Sequence, residues 1–160
     1  MFIFDCFRSD EKFSNGNLKS FGHYKNLVGF NGEIICGSIN SISDLASLDK
    51  YKFDYIFHHA AISDTRIYDQ EIVMRTNVNS FLDILKITRK NNATLVYASS
   101  AATYGNSEAP QTVGFENPEN PYGYSKYTMD CIAQKFKLSN PDISIKGLRF
   151  FNVYGPNEFY

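Results

Sequence analysis

Thr94-Leu95-Val96-Tyr97-Ala98-Ser99-Ser100-Ala101-Ala102 decides the fold: a five-residue strand candidate, Thr94 to Ala98, that ends in small and hydroxyl-bearing residues. On its amino side, Asp69 to Asn91 carries Ile72, Val73, Val78, Phe81, Leu82, Leu85 and Ile87 at spacings that predict one long amphipathic helix. On its carboxyl side, Gly105, Pro110, Gly114, Pro118 and Pro121 mark 103–121 as a long loop. A second long helix is expected from Tyr122 to Ser139, then a strand from Ile143 to Phe151. Farther back, Phe53 to His58 reads as a strand running into Ala60-Ala61. Ser43 to Tyr51 reads as a short helix with Leu45 and Leu48 on one side, and Glu33 to Gly37 as another strand. Cys6 to Asn31 is loop with a little helix, preceded by the short apolar run Phe2-Ile3-Phe4-Asp5. Strands alternating with helices predict an α/β fold with a doubly wound, Rossmann-type parallel sheet. No internal repeat is visible.

Composition narrows the partners. A chain of 160 residues that is 43% hydrophobic fits one domain with a real core. Sixteen basic and 17 acidic residues leave a net charge of -1 with no block of one sign, so neither nucleic acid nor an anionic membrane is an expected partner. The longest apolar runs, such as Tyr55-Ile56-Phe57, are far too short to cross a bilayer, and no signal-peptide pattern opens the chain. Cys6, Cys36 and Cys131 are odd in number and widely spaced, which reads as reduced thiols in a cytoplasmic protein; no metal-ligand spacing is present.

Chemistry concentrates in Tyr122-Gly123-Tyr124-Ser125-Lys126. Residues 122 and 126 are four apart, so a helix puts them on one face. A free phenol, with a pKa of about 10, is a poor base at neutral pH. A neighbouring ammonium and the positive end of a helix both favour the phenolate, which can then take a proton from a sugar hydroxyl as hydride leaves the same carbon. Ser99-Ser100 ends the preceding strand, where the carboxyl ends of parallel strands face a ligand crevice. A hydroxyl there can share a hydrogen bond with the substrate oxygen and the tyrosine. Asp5 ends the first strand, where an acid can accept bonds from ribose hydroxyls, and Arg8 and Lys12 follow where a 2′-phosphate would need neutralising. His58 and His59 are adjacent on a strand and point to opposite faces, which does not suit a metal pair.

Ser99-Ser100-Ala101-Ala102-Thr103-Tyr104-Gly105, Tyr122-Gly-Tyr-Ser-Lys126 and Arg149-Phe-Phe-Asn-Val-Tyr-Gly-Pro156, in that order, resemble the signature blocks of the extended short-chain dehydrogenase/reductases, the NAD-dependent epimerase/dehydratase family. Within it, Tyr97-Ala98-Ser99-Ser100-Ala101-Ala102 is similar to the branch that epimerises ADP-linked heptoses in lipopolysaccharide synthesis. The resemblance covers essentially the whole chain, read as one partial NAD(P)-binding domain over 1–160. It implies Tyr122 as acid/base, Lys126 as ligand of the nicotinamide ribose and partner of Tyr122, and Ser100 as the group orienting the substrate hydroxyl. It implies further cofactor contacts from Asp5, Cys6, Lys12, Ser38, Ile39, His59, Ala60, Ala61, Ser63, Asn77 and Val153, and a substrate contact from Asn152. The implied cofactor is NADP, with NAD kept open by Asp5. The implied partner is a nucleotide-sugar, and the intact protein is expected to be a homo-oligomer.

The chain departs from the family pattern in two places. It contains no G-x-x-G-x-x-G stretch, which the family carries between its first strand and first helix, ahead of Phe2 here. The family's second catalytic lysine and most of its sugar-binding domain fall beyond Tyr160. The expectation is therefore a chain truncated at both ends and inactive by itself. The alternatives are a UDP-hexose 4-epimerase, a nucleotide-sugar dehydratase, or a non-catalytic remnant; against the dehydratase, Ala101-Ala102 supplies no acidic pair after the serines.

Overall fold

The computed structural model describes residues 1–156. The chain divides into two compact units, one of Met1–Lys50 with the segment from Asn152, the other of Tyr51–Phe151.

In the first unit, β1 (Phe2–Asp5) pairs in parallel with β2 (Glu33–Cys36), Phe2 opposite Glu33 and Asp5 opposite Cys36. A short 3₁₀ turn at Tyr24–Leu27 is the helical part of the long connection. Beyond β2, α1 (Ile42–Ala46) starts at Ser41, whose hydroxyl accepts the Asp44 amide proton, and passes into a 3₁₀ turn at Ser47–Lys50. Leu45 supplies the buried apolar side chain there.

The second unit holds β3 (Tyr55–His58), β4 (Thr94–Ser100) and β5 (Ile145–Phe150), with β4 central and both ladders parallel. Parallel neighbours require crossovers, and helices supply them. The first crossover is α2 (Gln70–Met74), a π-helical turn at Arg75–Asn79, and α3 (Ser80–Asn91); the second is α4 (Pro121–Ser139). Asp69 caps α2 by accepting the Ile72 amide proton, and left-handed Asn92 ends α3. Along β4, Leu95, Tyr97 and Ser99 alternate into the core while Val96 and Ala98 are half-buried, the period of two expected of a strand. Phe81, Leu85, Leu95, Met129 and Ile143 are fully buried, and α4 packs against β4 and β5.

The α/β fold with parallel strands is as expected, its strands forming two parallel ladders, β1–β2 and β3–β4–β5. One expectation changes. The uninterrupted helix expected over 69–91 is broken by the π turn. Leu82, placed by periodicity on the apolar side, is 43% exposed, whereas Asn77 is wholly buried. Asn77 uses its burial for hydrogen bonds described below, and polar π turns of this kind recur at functional sites.

Candidate active site

α4 begins where the chemistry is expected. Asn120 is its N-cap, accepting the Gly123 amide proton at 2.8 Å, and Pro121 occupies the first helical position, where its missing N–H costs nothing. Tyr122 therefore stands in the first turn, at the positive end of the helix dipole. Gly123 lets this turn approach the strand end closely: a Cβ there would lie 2.6 Å from the Ala102 carbonyl oxygen. That carbonyl belongs to the 3₁₀ turn Ala101–Thr103, capped by Ser100, whose Oγ accepts the Ala102 amide proton at 3.1 Å. The close approach brings the Ser100 turn to the start of α4, beside Tyr122.

Lys126 is 2% exposed. Its Nζ donates to the Ala98 carbonyl at 2.7 Å and lies 5.9 Å from the centroid of the Tyr122 ring. Burial lowers its pKa to about 8, with the Asp130 carboxylate pulling the other way. His58, at the end of β3, is buried against Phe81, and its Nε2 has no hydrogen-bond partner among the described residues. Burial, then Lys126 and His59, drop its pKa to about 3, so it is neutral. His59 is exposed, with its ring 6.3 Å from that of Phe150.

Beyond β3, Ala60 and Ser63 are exposed and Ala61 half-buried. Asn77 fixes this segment. Its Oδ1 accepts the Ile62 amide proton at 2.8 Å, while Nδ2 donates to the Ile62 carbonyl at 3.0 Å and to Ser125 Oγ at 2.8 Å. Ser125 in turn donates to the Tyr122 carbonyl at 2.7 Å. One amide thus ties the 58–63 segment to the tyrosine's helix.

The second unit brings Ser100, Tyr122, Lys126, Asn77 and the 58–63 segment together. In the first unit, Asp5 Oδ1 accepts the Phe7 amide proton at 2.6 Å, and Gly22 packs against the same oxygen, where a Cβ would come within 2.6 Å. Cys6, Arg8 and Lys12 are exposed; Ser38 and Ile39 are half-buried, with the Ser38 amide donating to Asp44. Asn152 and Val153 are exposed. Three residues went unassigned in the sequence: Ser125, and the ion pair of buried Asp130 with half-buried Arg149. Lys126 and Asp130 share the four-residue spacing that singled out Tyr122 and Lys126, and this was the available signal.

A family model described as the NAD dependent epimerase/dehydratase family matches residues 10–160. The chain belongs to that family. An ADP-L-glycero-D-manno-heptose-6-epimerase of Brachyspira hyodysenteriae is 34% identical over 98% of this chain and 47% of its own length. The crystal structure of the Helicobacter pylori ADP-L-glycero-D-manno-heptose-6-epimerase matches at 50% identity and a TM-score of 0.85, over 98% of this chain and 48% of that one. A UDP-glucose 4-epimerase from Brucella ovis, solved with NAD, follows at 25% identity and 0.76, over 94% of this chain and 44% of that one. The chain spans about half the length of these relatives. Among the described residues of this family member, no helix is long and apolar enough to cross a membrane.

Proposed function

We propose that the protein is a nucleotide-sugar epimerase of the ADP-glyceromanno-heptose 6-epimerase type, working by transient hydride transfer with bound NADP. The observation that carries this is the buried Lys126 ammonium 5.9 Å from the Tyr122 ring, at the amino end of a helix seated against the Ser100 turn. The residues fit a nicotinamide dinucleotide. Lys126 offers a buried cation with one acceptor in place, the Ala98 carbonyl. The small, partly exposed Ala60 and Ala61 permit close backbone approach. When bound, the cofactor supplies a hydride acceptor that later returns the hydride.

The chain's own residues handle the proton and the geometry. Lys126, mostly protonated near pH 7, stabilises the Tyr122 phenolate across the shared helix face, and the helix amino end adds to that effect. Tyr122 then takes the proton from the sugar hydroxyl and returns it after the oxidised sugar has turned its other face. Ser100 orients that hydroxyl. Asn77 contributes indirectly, by holding the 58–63 segment in place, since its side chain bonds to Ile62 and Ser125. In the first unit Asp5 serves the adenosine ribose and Lys12 the 2′-phosphate, Cys6, Ser38, Ile39 and Val153 are further cofactor contacts, and Asn152 serves the sugar. A cytoplasmic, homo-oligomeric enzyme belongs to the same reading.

Tyr122→Phe tests it. In a chain extended with the remaining segments of its relatives, the variant keeps the ring and loses the ionisable hydroxyl, so turnover of ADP-heptose should fall by about 10²–10⁴-fold with little change in KM. Wild-type turnover would remove Tyr122 from the chemistry.

A further inference from the structure

The turn that follows Ser100 is held from outside. Ala101 and Ala102 are half-buried and bring no polar side chain to anchor it. Its anchors are the next two residues, both buried. Thr103 Oγ1 donates to the Ser100 carbonyl at 2.9 Å, and the Tyr104 amide donates to the Ala101 carbonyl at 2.9 Å. The far end of the 103–121 loop returns against them. The Asn117 amide donates to the Thr103 carbonyl at 3.0 Å, and a Cβ on Gly105 would collide with the Asn117 carbonyl oxygen.

Both contacts lead to Arg149 of β5. Its guanidinium carbon lies 4.7 Å from the centroid of the Tyr104 ring, within cation–π range. Its Nη2 donates to Glu116, the residue before Asn117, at 2.6 Å. The guanidinium is itself braced from behind. Nε at 3.0 Å and Nη2 at 2.9 Å donate to Oδ2 of buried Asp130 on α4. Asp130 is fixed in turn by β4, with Ser99 Oγ donating to Oδ2 at 3.0 Å and Tyr97 Oη to Oδ1 at 2.7 Å. One planar group thus meets a helix, a loop and an aromatic face at once. A lysine ammonium could pair with Asp130, but it has neither the fork nor the flat face to hold the other two.

We propose that Arg149 is a positioning residue for Ser100. Braced on Asp130, it pins Tyr104 and Glu116, and through them holds the 3₁₀ turn at whose start Ser100 stands. The catalytic consequence rests on the reading above; the anchoring of the turn does not.

Amide hydrogen exchange, followed by NMR in the 160-residue chain, reads the anchoring. In Arg149→Lys the amides of Ala102, Tyr104 and Asn117 should exchange about tenfold faster or more, because the turn opens more easily while the sheet stays folded. Those of Leu85 and Leu95 should change little. Glu116→Ala, which cuts one arm and leaves Asp130 paired, should act the same way by less. Acceleration shared equally by all five amides would make Arg149 a support of the whole fold, and unchanged exchange at the turn would make it no anchor; either result overturns the proposal. If Arg149→Lys does not fold, Glu116→Ala decides on the same criteria. A double-mutant cycle in the extended chain then reads the catalytic consequence. Arg149→Lys should lower kcat by about 10–10²-fold where Ser100 is present and add little to Ser100→Ala, since a misplaced hydroxyl matters only if it is there. Losses that simply add would overturn the link to Ser100. Full turnover in Tyr122→Phe would sink the catalytic reading while leaving the exchange results as expected, so the two failures are distinguishable.

Discussion

Lowering the pH from about 7 to about 4.5 is a specific test of the burial of His58. In the unfolded chain this imidazole titrates near 6.5, and in the folded protein near 3, because burial, then Lys126 and His59, disfavour the cation. As the pH falls through 6.5 the unfolded chain takes up a proton that the folded protein refuses, so stability is lost from there down and the loss ends near pH 3. At 1.36 kcal/mol for each pH unit, this one group costs roughly 2.5 kcal/mol between pH 7 and 4.5. His58→Gln keeps a polar side chain and removes the titration. Urea unfolding of both proteins at pH 7, 5.5 and 4.5 cancels the carboxylates common to them. Wild type should lose roughly 2.5 kcal/mol more than the variant over the range, and about half of that by pH 5.5. Parallel pH profiles would mean that His58 is charged or solvated in the folded protein, and the account of its neutrality beside Lys126 would fall with it.

Asn77→Ala removes three buried hydrogen bonds and strands both Ile62 backbone groups, while Ser125 keeps its bond to Tyr122, so a loss of about 2–4 kcal/mol in unfolding free energy is expected; a loss under about 0.5 kcal/mol would show that the clamp is idle. Gly147→Ala puts a methyl 2.5 Å from Tyr97 Oη and should cost about 1–3 kcal/mol by thermal melting, whereas a neutral outcome would mean that Tyr97 can move without leaving Asp130. In the same extended chain, changing both Arg8 and Lys12 to Ala should weaken NADP binding more than NAD binding in calorimetric titrations, since only NADP has the 2′-phosphate to pair with them; equal losses would make them ordinary loop charges.

The alternation of elements was legible because apolar periods of two and 3.6 leave plain marks, and all five strands lie where those marks fall. The π turn was not. Hydrophobic spacing across 69–91 looks regular, because Leu82 reads as core by type and Asn77 reads as surface by type, and only tertiary hydrogen bonding reverses the two. At the site, Tyr122, Lys126 and Ser100 stood out through short local spacings. The Asp130–Arg149–Glu116 cluster joins a helix, a strand and a loop up to 33 residues apart, and nothing local announces such a joint.

The extra residue held in the π turn also sets the reading frame of the helix for anyone who engineers it. An α-helix advances about 100° per residue, so one surplus residue offsets the wheel upstream of Arg75 from the wheel downstream of Asn79 by about that angle. A label, crosslink or charge placed by counting turns from Gln70 through to Asn91 would emerge on the wrong flank. Positions in α2 and in α3 must each be counted from their own end, and a one-residue deletion at Arg75 or Thr76 would remove the surplus residue while swinging Asn77 away from Ser125.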